Sequence, residues 1–206
     1  MMMSLLQLEA EALAVRPFES RWAGVVAGWV RSEEELRLLA PSTPWPLTAG
    51  KVLRWQRPGG RAMVLVRNEA ADIVPISGTH SRGSIVGPDE PLGYGELNRM
   101  RSRLDHWWLG HVILRPDCRG RGWGHWFAKT LICEGLEVLG AVKISLVVFP
   151  ENTAAVECYL GAGFRIAGTE RQQLVSGAPA RKLLRMEIAR DRVGRERRDP
   201  RAISVT

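Results

Sequence analysis

The sequence predicts a single α/β domain, and three observations carry that expectation. An apolar β-type run through Val112, Ile113 and Leu114 stops at Arg115-Pro116, passes through a basic, glycine-punctuated turn and opens at once into a helix. A second β run, Lys143 to Phe149, follows that helix. The chain then reads as two more β segments, Arg165 to Val175 and Lys182 to Ile188, around Ser176-Gly177-Ala178-Pro179, which is the pattern of a closing hairpin. With 206 residues, 45% apolar and 25% charged, there is enough chain for one domain with a substantial core.

The elements follow in order. Residues 1–14 read as an N-terminal extension, a short extra helix; Glu9, Glu11 and the lack of a basic start argue against a signal peptide. Val15 to Phe18 is a first strand. From Glu19 to about Leu39, Trp22, Val25, Val26, Trp29, Val30, Leu36 and Leu39 recur at helical spacing, with a break near Arg31 and a fresh helix start at Ser32-Glu33-Glu34-Glu35. Pro41 to Pro46 is an irregular connector, Trp55 precedes a turn at Arg57 to Gly60, and Ala62 to Arg67 is a strand. Asn68 to Pro91 is rich in Gly, Ser and Pro and reads as a loop insertion. Leu92 to Leu97 is a third strand, and Arg101 to Asp105 a polar turn before Trp107-Trp108. Gly124 to about Leu139 places Phe127, Leu131, Ile132, Leu136 and Leu139 on one helical face and Glu134 on the solvent face. The domain is expected over residues 15–189. Residues 190–206 form a basic tail with almost no apolar residues, expected to be disordered.

Composition narrows the function classes. The net charge is +7, but part of it lies in that tail and part in the turn at Arg119 and Arg121, not on a face suited to reading nucleic acid. The three cysteines, Cys118, Cys133 and Cys158, are odd in number and at no metal-ligand spacing, so no metal is expected and a reduced, cytoplasmic protein is. No apolar run reaches the roughly 18 residues of a membrane span.

The turn carries the chemistry. A strand that feeds a glycine-rich helix start builds an anion site: Gly120, Gly122 and Gly124 let backbone N–H groups approach a ligand, the helix dipole adds positive potential, and Arg119 and Arg121 suit phosphate. The spacing is wrong for two common phosphate loops. No Lys-Ser or Lys-Thr follows a glycine, and His125 stands where the third glycine of GxGxxG belongs. What remains is Arg119-x-x-Gly122-x-Gly124, which resembles the [QR]xxGx[GA] acyl-CoA signature of the GCN5-related N-acetyltransferases. Downstream, Asn152-x-x-Ala155-x-x-x-Tyr159-x-x-x-Gly163-Phe164 is similar to that family's NxxAxxxYxxxGF segment. The likeness covers about the C-terminal half of the chain. It departs from the pattern at Trp123, where a small aliphatic residue is usual.

The resemblance implies a mixed, mostly antiparallel sheet of about six to seven strands flanked by helices, splayed between strands 4 and 5. It further implies transfer of acetyl from acetyl-CoA to a primary amine in a ternary complex, without an acyl-enzyme. The partners it implies are acetyl-CoA and an amine acceptor, with a homodimer left open. By carry-over, Val112, Ile113 and Leu114 would bind the pantetheine arm through backbone groups, and Arg119, Gly120, Arg121, Gly122, Trp123, Gly124 and His125 the phosphates. Asn152 would either contact CoA or simply cap its helix. Tyr159 would protonate the departing thiolate. Glu96 on the third strand is the first candidate for the base, with His106 and His111 behind it. Cys118 carries no mark of a nucleophile. The alternative function is a catalytically silent acyl-CoA-binding regulatory module on the same fold.

Overall fold

The computed structural model describes residues 13–68, 90–101, 103–174, 177 and 179–190. The first twelve residues of the expected extension, the tail from 191 and most of the expected insertion (69–89) lie outside the described residues. The strands are β1 (Leu13–Pro17), β2 (Arg61–Arg67), β3 (Gly93–Arg99), β4 (His106–Leu114), β5 (Lys143–Val148), β6 (Arg165–Gln172) and β7 (Arg181–Ala189). The helices are α1 (Ala23–Ala27), α2 (Glu33–Leu39), α3 (Ala49–Trp55), α4 (Trp123–Cys133) and α5 (Thr153–Gly161), with a π turn over Glu134–Val138 continuing α4.

All seven strands form one sheet in the order β1-β2-β3-β4-β5-β7-β6. Every pairing is antiparallel except β4 with β5. That parallel pair joins only at His106–Lys143, Trp107–Ile144 and Trp108–Ser145. Beyond it, β4 runs on to Leu114 paired with β3 alone, while β5 runs on to Val148 paired with β7 alone. The middle of the sheet is therefore splayed, and one side of Leu109 to Leu114 has no strand partner among the described residues. His106 Nε2 lies 2.7 Å from Ser145 Oγ at the closed end of this V, and burial first, then the nearby Lys143, lowers the pKa of His106.

Period-two alternation gives each face of the sheet its own core. Met63, Leu65 and Leu97 join Phe127, Leu131, Ile132 and Leu136 of the α4 side. Val64, Val66 and Tyr94 join Trp22, Val26, Leu36, Val52 and Trp55 of the α1–α3 side. Close packing sets where α4 lies: a Cβ on Gly95 would come within 2.7 Å of Leu131 Cδ1, and one on Gly135 within 2.6 Å of Ile144 Cδ1. A Cβ at either position would make the Leu131 or Ile144 side chain shift, so glycine suits a helix this near the sheet.

Three local features differ from the sequence reading. Helix α3 lies after the Pro41–Pro46 connector, in a stretch to which the sequence assigns no element; it forms because Val52 and Trp55, one turn apart, both find the α1 core. The fourth strand begins at His106, so Trp107 and Trp108 lie within it. Glu134 is half-buried, not on the solvent face: its carboxylate reaches across to Arg61 of β2 at 3.0 Å, where the helix changes to its π turn.

Candidate active site

Helix α4 starts at an N-cap glycine, Gly122, with φ of 78°, and Gly120 has φ of 75°. Those left-handed conformations turn the loop's amides outward. Among the described residues, no backbone acceptor takes the N–H of Gly120, Arg121, Gly122, Trp123 or Gly124. A Cβ on Gly120 or Gly122 would meet nothing within 4 Å, so the loop's outer face is open. Consecutive free N–H groups at a helix start form a concave donor set for an anion. The loop opens beside Leu114, the last residue of the unpaired side of β4.

The arginines divide their work. The Arg119 guanidinium is held by the fold: it donates to Leu114 O at 3.1 Å, Glu35 Oε1 at 2.8 Å and Trp29 O at 3.2 Å. It thereby ties the loop to the start of α2. Glu35 also accepts from the Arg31 amide at 2.7 Å; burial works against its carboxylate, yet these bonds leave its pKa below the usual value. Arg121 is exposed, with its guanidinium 5.6 Å from the centre of the Trp123 ring, and is the side chain of the pair turned to solvent. Trp123 is buried in the α4 core, which explains why a bulky residue is accepted there; its Nε1–H finds no partner among the described residues. His125 packs on α5, where a Cβ on Gly161 would lie 2.8 Å from its Nδ1; burial, with Lys129 adding, lowers its pKa.

Across the splay, Asn152 caps α5, its Oδ1 accepting from the Ala155 amide at 3.4 Å. Tyr159, two turns on, is half-buried with its ring edge-on to Phe164 at 5.8 Å. Its hydroxyl makes no hydrogen bond with any described residue, and burial, with Cys158 adding, raises its pKa, so it stays protonated at neutral pH.

Glu96, the first candidate for the base, lies inside the core. It is 1% exposed, on the α1–α3 face of β3, with Tyr94 and Asn98 on either side at period two. Its Oε1 accepts from Tyr94 Oη at 2.6 Å and its Oε2 from Asn98 Nδ2 at 2.9 Å. His111 Nδ1 is 3.2 Å from the same Oε1, and its ring stacks on Trp55 at 4.3 Å with 7° between planes. Val112, Ile113 and Leu114, half-buried, follow directly along β4. His106 is buried at the closed end of the V, bonded to Ser145. Cys118 is also buried, and burial raises its pKa. Sequence reasoning missed Tyr94, Asn98 and Trp55; the first two were readable as neighbours of Glu96 on one strand face.

Comparison with known proteins adds the family. A sequence model described as the acetyltransferase (GNAT) family matches residues 52–164. Spermidine N(1)-acetyltransferase of Escherichia coli (strain K12) is 27% identical over 105 residues, 51% of this chain and 54% of that protein, so the chain matches about half the length of this curated relative. A crystal structure of spermidine N-acetyltransferase from Vibrio cholerae, in complex with CoA and spermine, superposes with a TM-score of 0.66 at 15% identity, covering 88% of this chain and 98% of that one. A putative phosphinothricin N-acetyltransferase gives 0.62, also at 15% identity, over 86% of this chain and 98% of that one. At such identities the structures establish a shared fold.

Proposed function

The chain belongs to the GNAT acetyltransferase family, and we propose that it moves the acetyl group of acetyl-CoA onto a primary amine by direct attack in a ternary complex. One observation carries this reading: a run of five N–H groups that no described residue engages, at a glycine-rich helix start opening beside the unpaired side of β4. The donor run fits the pyrophosphate of CoA, with Arg121 adding charge. The free backbone edge of Val112 to Leu114 fits the amide-bearing pantetheine arm, and a β4 N–H there suits the thioester oxygen as negative charge grows on it.

Tyr159 is the proposed acid. Its hydroxyl is always loaded with a proton at neutral pH, and a thiolate leaving into the same dry surroundings is itself made more basic by burial. Asn152, already bonded within α5, acts chiefly as a cap that aims the helix carrying Tyr159. The three free cysteines support a reducing, cytoplasmic setting.

The test is calorimetric titration of the purified chain with acetyl-CoA, with NAD and ATP as controls. Binding of acetyl-CoA alone, in the micromolar range, is the expected result. Equal binding of all three ligands would make the loop a general anion site, and binding of none would make it a structural look-alike; either result ends the assignment.

A further inference from the structure

We propose that His111, not Glu96, is the base that takes the proton from the acceptor amine, with Glu96 and Trp55 as its positioning residues; this rests on the acetyltransferase reading. Four independent features converge on this imidazole. His111 is the one non-glycine residue with positive φ, 49°, among the described residues. It stands in a bulge: Tyr94 pairs with Ile113 and Glu96 with Gly110, so β4 spends one residue more than β3 between them. A β-strand histidine does not adopt this conformation unless its surroundings hold it there, and such strain concentrates at working sites. The bulge re-aims the side chain immediately before the stretch of β4 whose other edge is open.

The ring is then fixed on two sides. Trp55 stacks flat against it, and Trp55 is itself held by a 2.9 Å bond from its Nε1 to Thr43 Oγ1. Glu96 receives Nδ1, and the Glu96 carboxylate is locked by Tyr94 and Asn98. A buried carboxylate on Nδ1 selects the tautomer with the proton on that nitrogen and the lone pair on Nε2. No described residue occupies Nε2, and the His111 side chain keeps 26% exposure, whereas Glu96 keeps 1%. Glu96 thus has no open oxygen for an amine and acts through the ring. Among the described residues, the titratable groups bonded around the imidazole are Glu96 and, behind it, Tyr94, which burial and Glu96 keep protonated; from α3 the indole of Trp55 stacks on it.

The proton balance follows. Nε2 takes one proton from the acceptor ammonium, and the freed nitrogen lone pair forms the C–N bond at the thioester carbon. The C–S electron pair leaves on sulfur, which takes the Tyr159 proton. The second nitrogen proton returns through water to the tyrosinate, and the imidazolium sheds its proton to solvent. One proton is released per acetyl group transferred.

Two measurements on the full chain test this. In long-range proton–nitrogen NMR spectra, His111 is expected to carry its neutral-state proton on Nδ1; a proton on Nε2 would overturn the proposal without any acceptor being known. In steady-state kinetics with acetyl-CoA and spermidine, or the most active amine of a panel containing a lysine peptide, His111→Gln should lower kcat about 10²- to 10³-fold with little change in KM. Glu96→Gln should lower kcat with little change in KM and weaken the Nδ1 tautomer preference in the NMR spectra, because the ring loses the carboxylate that selects it. An unchanged kcat in His111→Gln would refute the base assignment. Wild-type chain inert towards every amine would instead sink the acetyltransferase reading, and the NMR tautomer would still decide the His111–Glu96 geometry.

Discussion

Replacing Gly122 by aspartate isolates charge from shape at the anion loop. Gly122 has φ of 78°, and a Cβ there meets nothing within 4 Å, so the new side chain brings no clash. Asn and Asp are the L-residues that best tolerate the left-handed region, and both are good N-caps, so Gly122→Asn and Gly122→Asp should fold with similar stability. Only the aspartate brings negative charge to the ligand. With about 5 Å between carboxylate and the nearest phosphate charge, repulsion is about 3 kcal/mol at an effective dielectric near 20 and about 1 kcal/mol in bulk water. Those bounds correspond to a loss of acetyl-CoA affinity between roughly 4- and 200-fold. Calorimetric titration of the two variants beside wild type, with thermal melts to show that both fold, makes the comparison. Gly122→Asp binding acetyl-CoA as tightly as Gly122→Asn would refute the placement of a phosphate at this helix start.

Three further expectations follow from the same geometry. Tyr159→Phe should cut turnover at least about tenfold while leaving acetyl-CoA affinity within about twofold, since only the transferable proton is lost; equal turnover would remove the tyrosine from the reaction. Arg121→Ala should weaken acetyl-CoA binding several-fold, whereas Glu35→Gln, which frees the Arg119 guanidinium from its carboxylate, should not; the opposite order in titrations would show that Arg119 is the phosphate ligand. His106 and His125 both have folded-state pKa values lowered by burial, so the unfolded chain binds more protons as pH drops below about 6.5, and stability should fall there. His106→Asn should flatten the dependence of melting temperature on pH between about 7 and 5, and an unchanged slope would show that His106 does not drive it.

The C-terminal half of the fold was legible because its signals are local. The apolar run into Arg115-Pro116, the glycines of 120–124 and the periodic face from Phe127 to Leu136 each act over one turn or one strand, and each reappears as an element of the structure. What could not be read depends on pairing across the sheet. The π turn that draws Glu134 to Arg61 changes a helix face without a sequence marker. Helix α3 is seven residues long and is held by the α1 core, not by propensity, so it leaves only Val52 and Trp55 one turn apart as a trace. The Glu96 environment was half-visible: Tyr94 and Asn98 fall beside it by alternation, but His111 reaches it only because β4 carries one extra residue opposite β3, and register of that kind is written in no short motif. Arg119 matches the loop pattern in sequence, yet Glu35, 84 residues earlier, takes its guanidinium.

The central claim is that this site transfers an acetyl group, and the most direct measurement is thiol release from acetyl-CoA across a panel of amines. Spermidine leads the panel, as the acceptor named for the matched Escherichia coli relative, and mass spectrometry of the amine follows the released thiol. The account predicts stoichiometric free CoA and acetylated amine for at least one acceptor, with both formed more slowly at limiting acetyl-CoA in Gly122→Asp. Tight acetyl-CoA binding with no thiol released by any amine would contradict it and leave a silent acyl-CoA-binding module on the same fold.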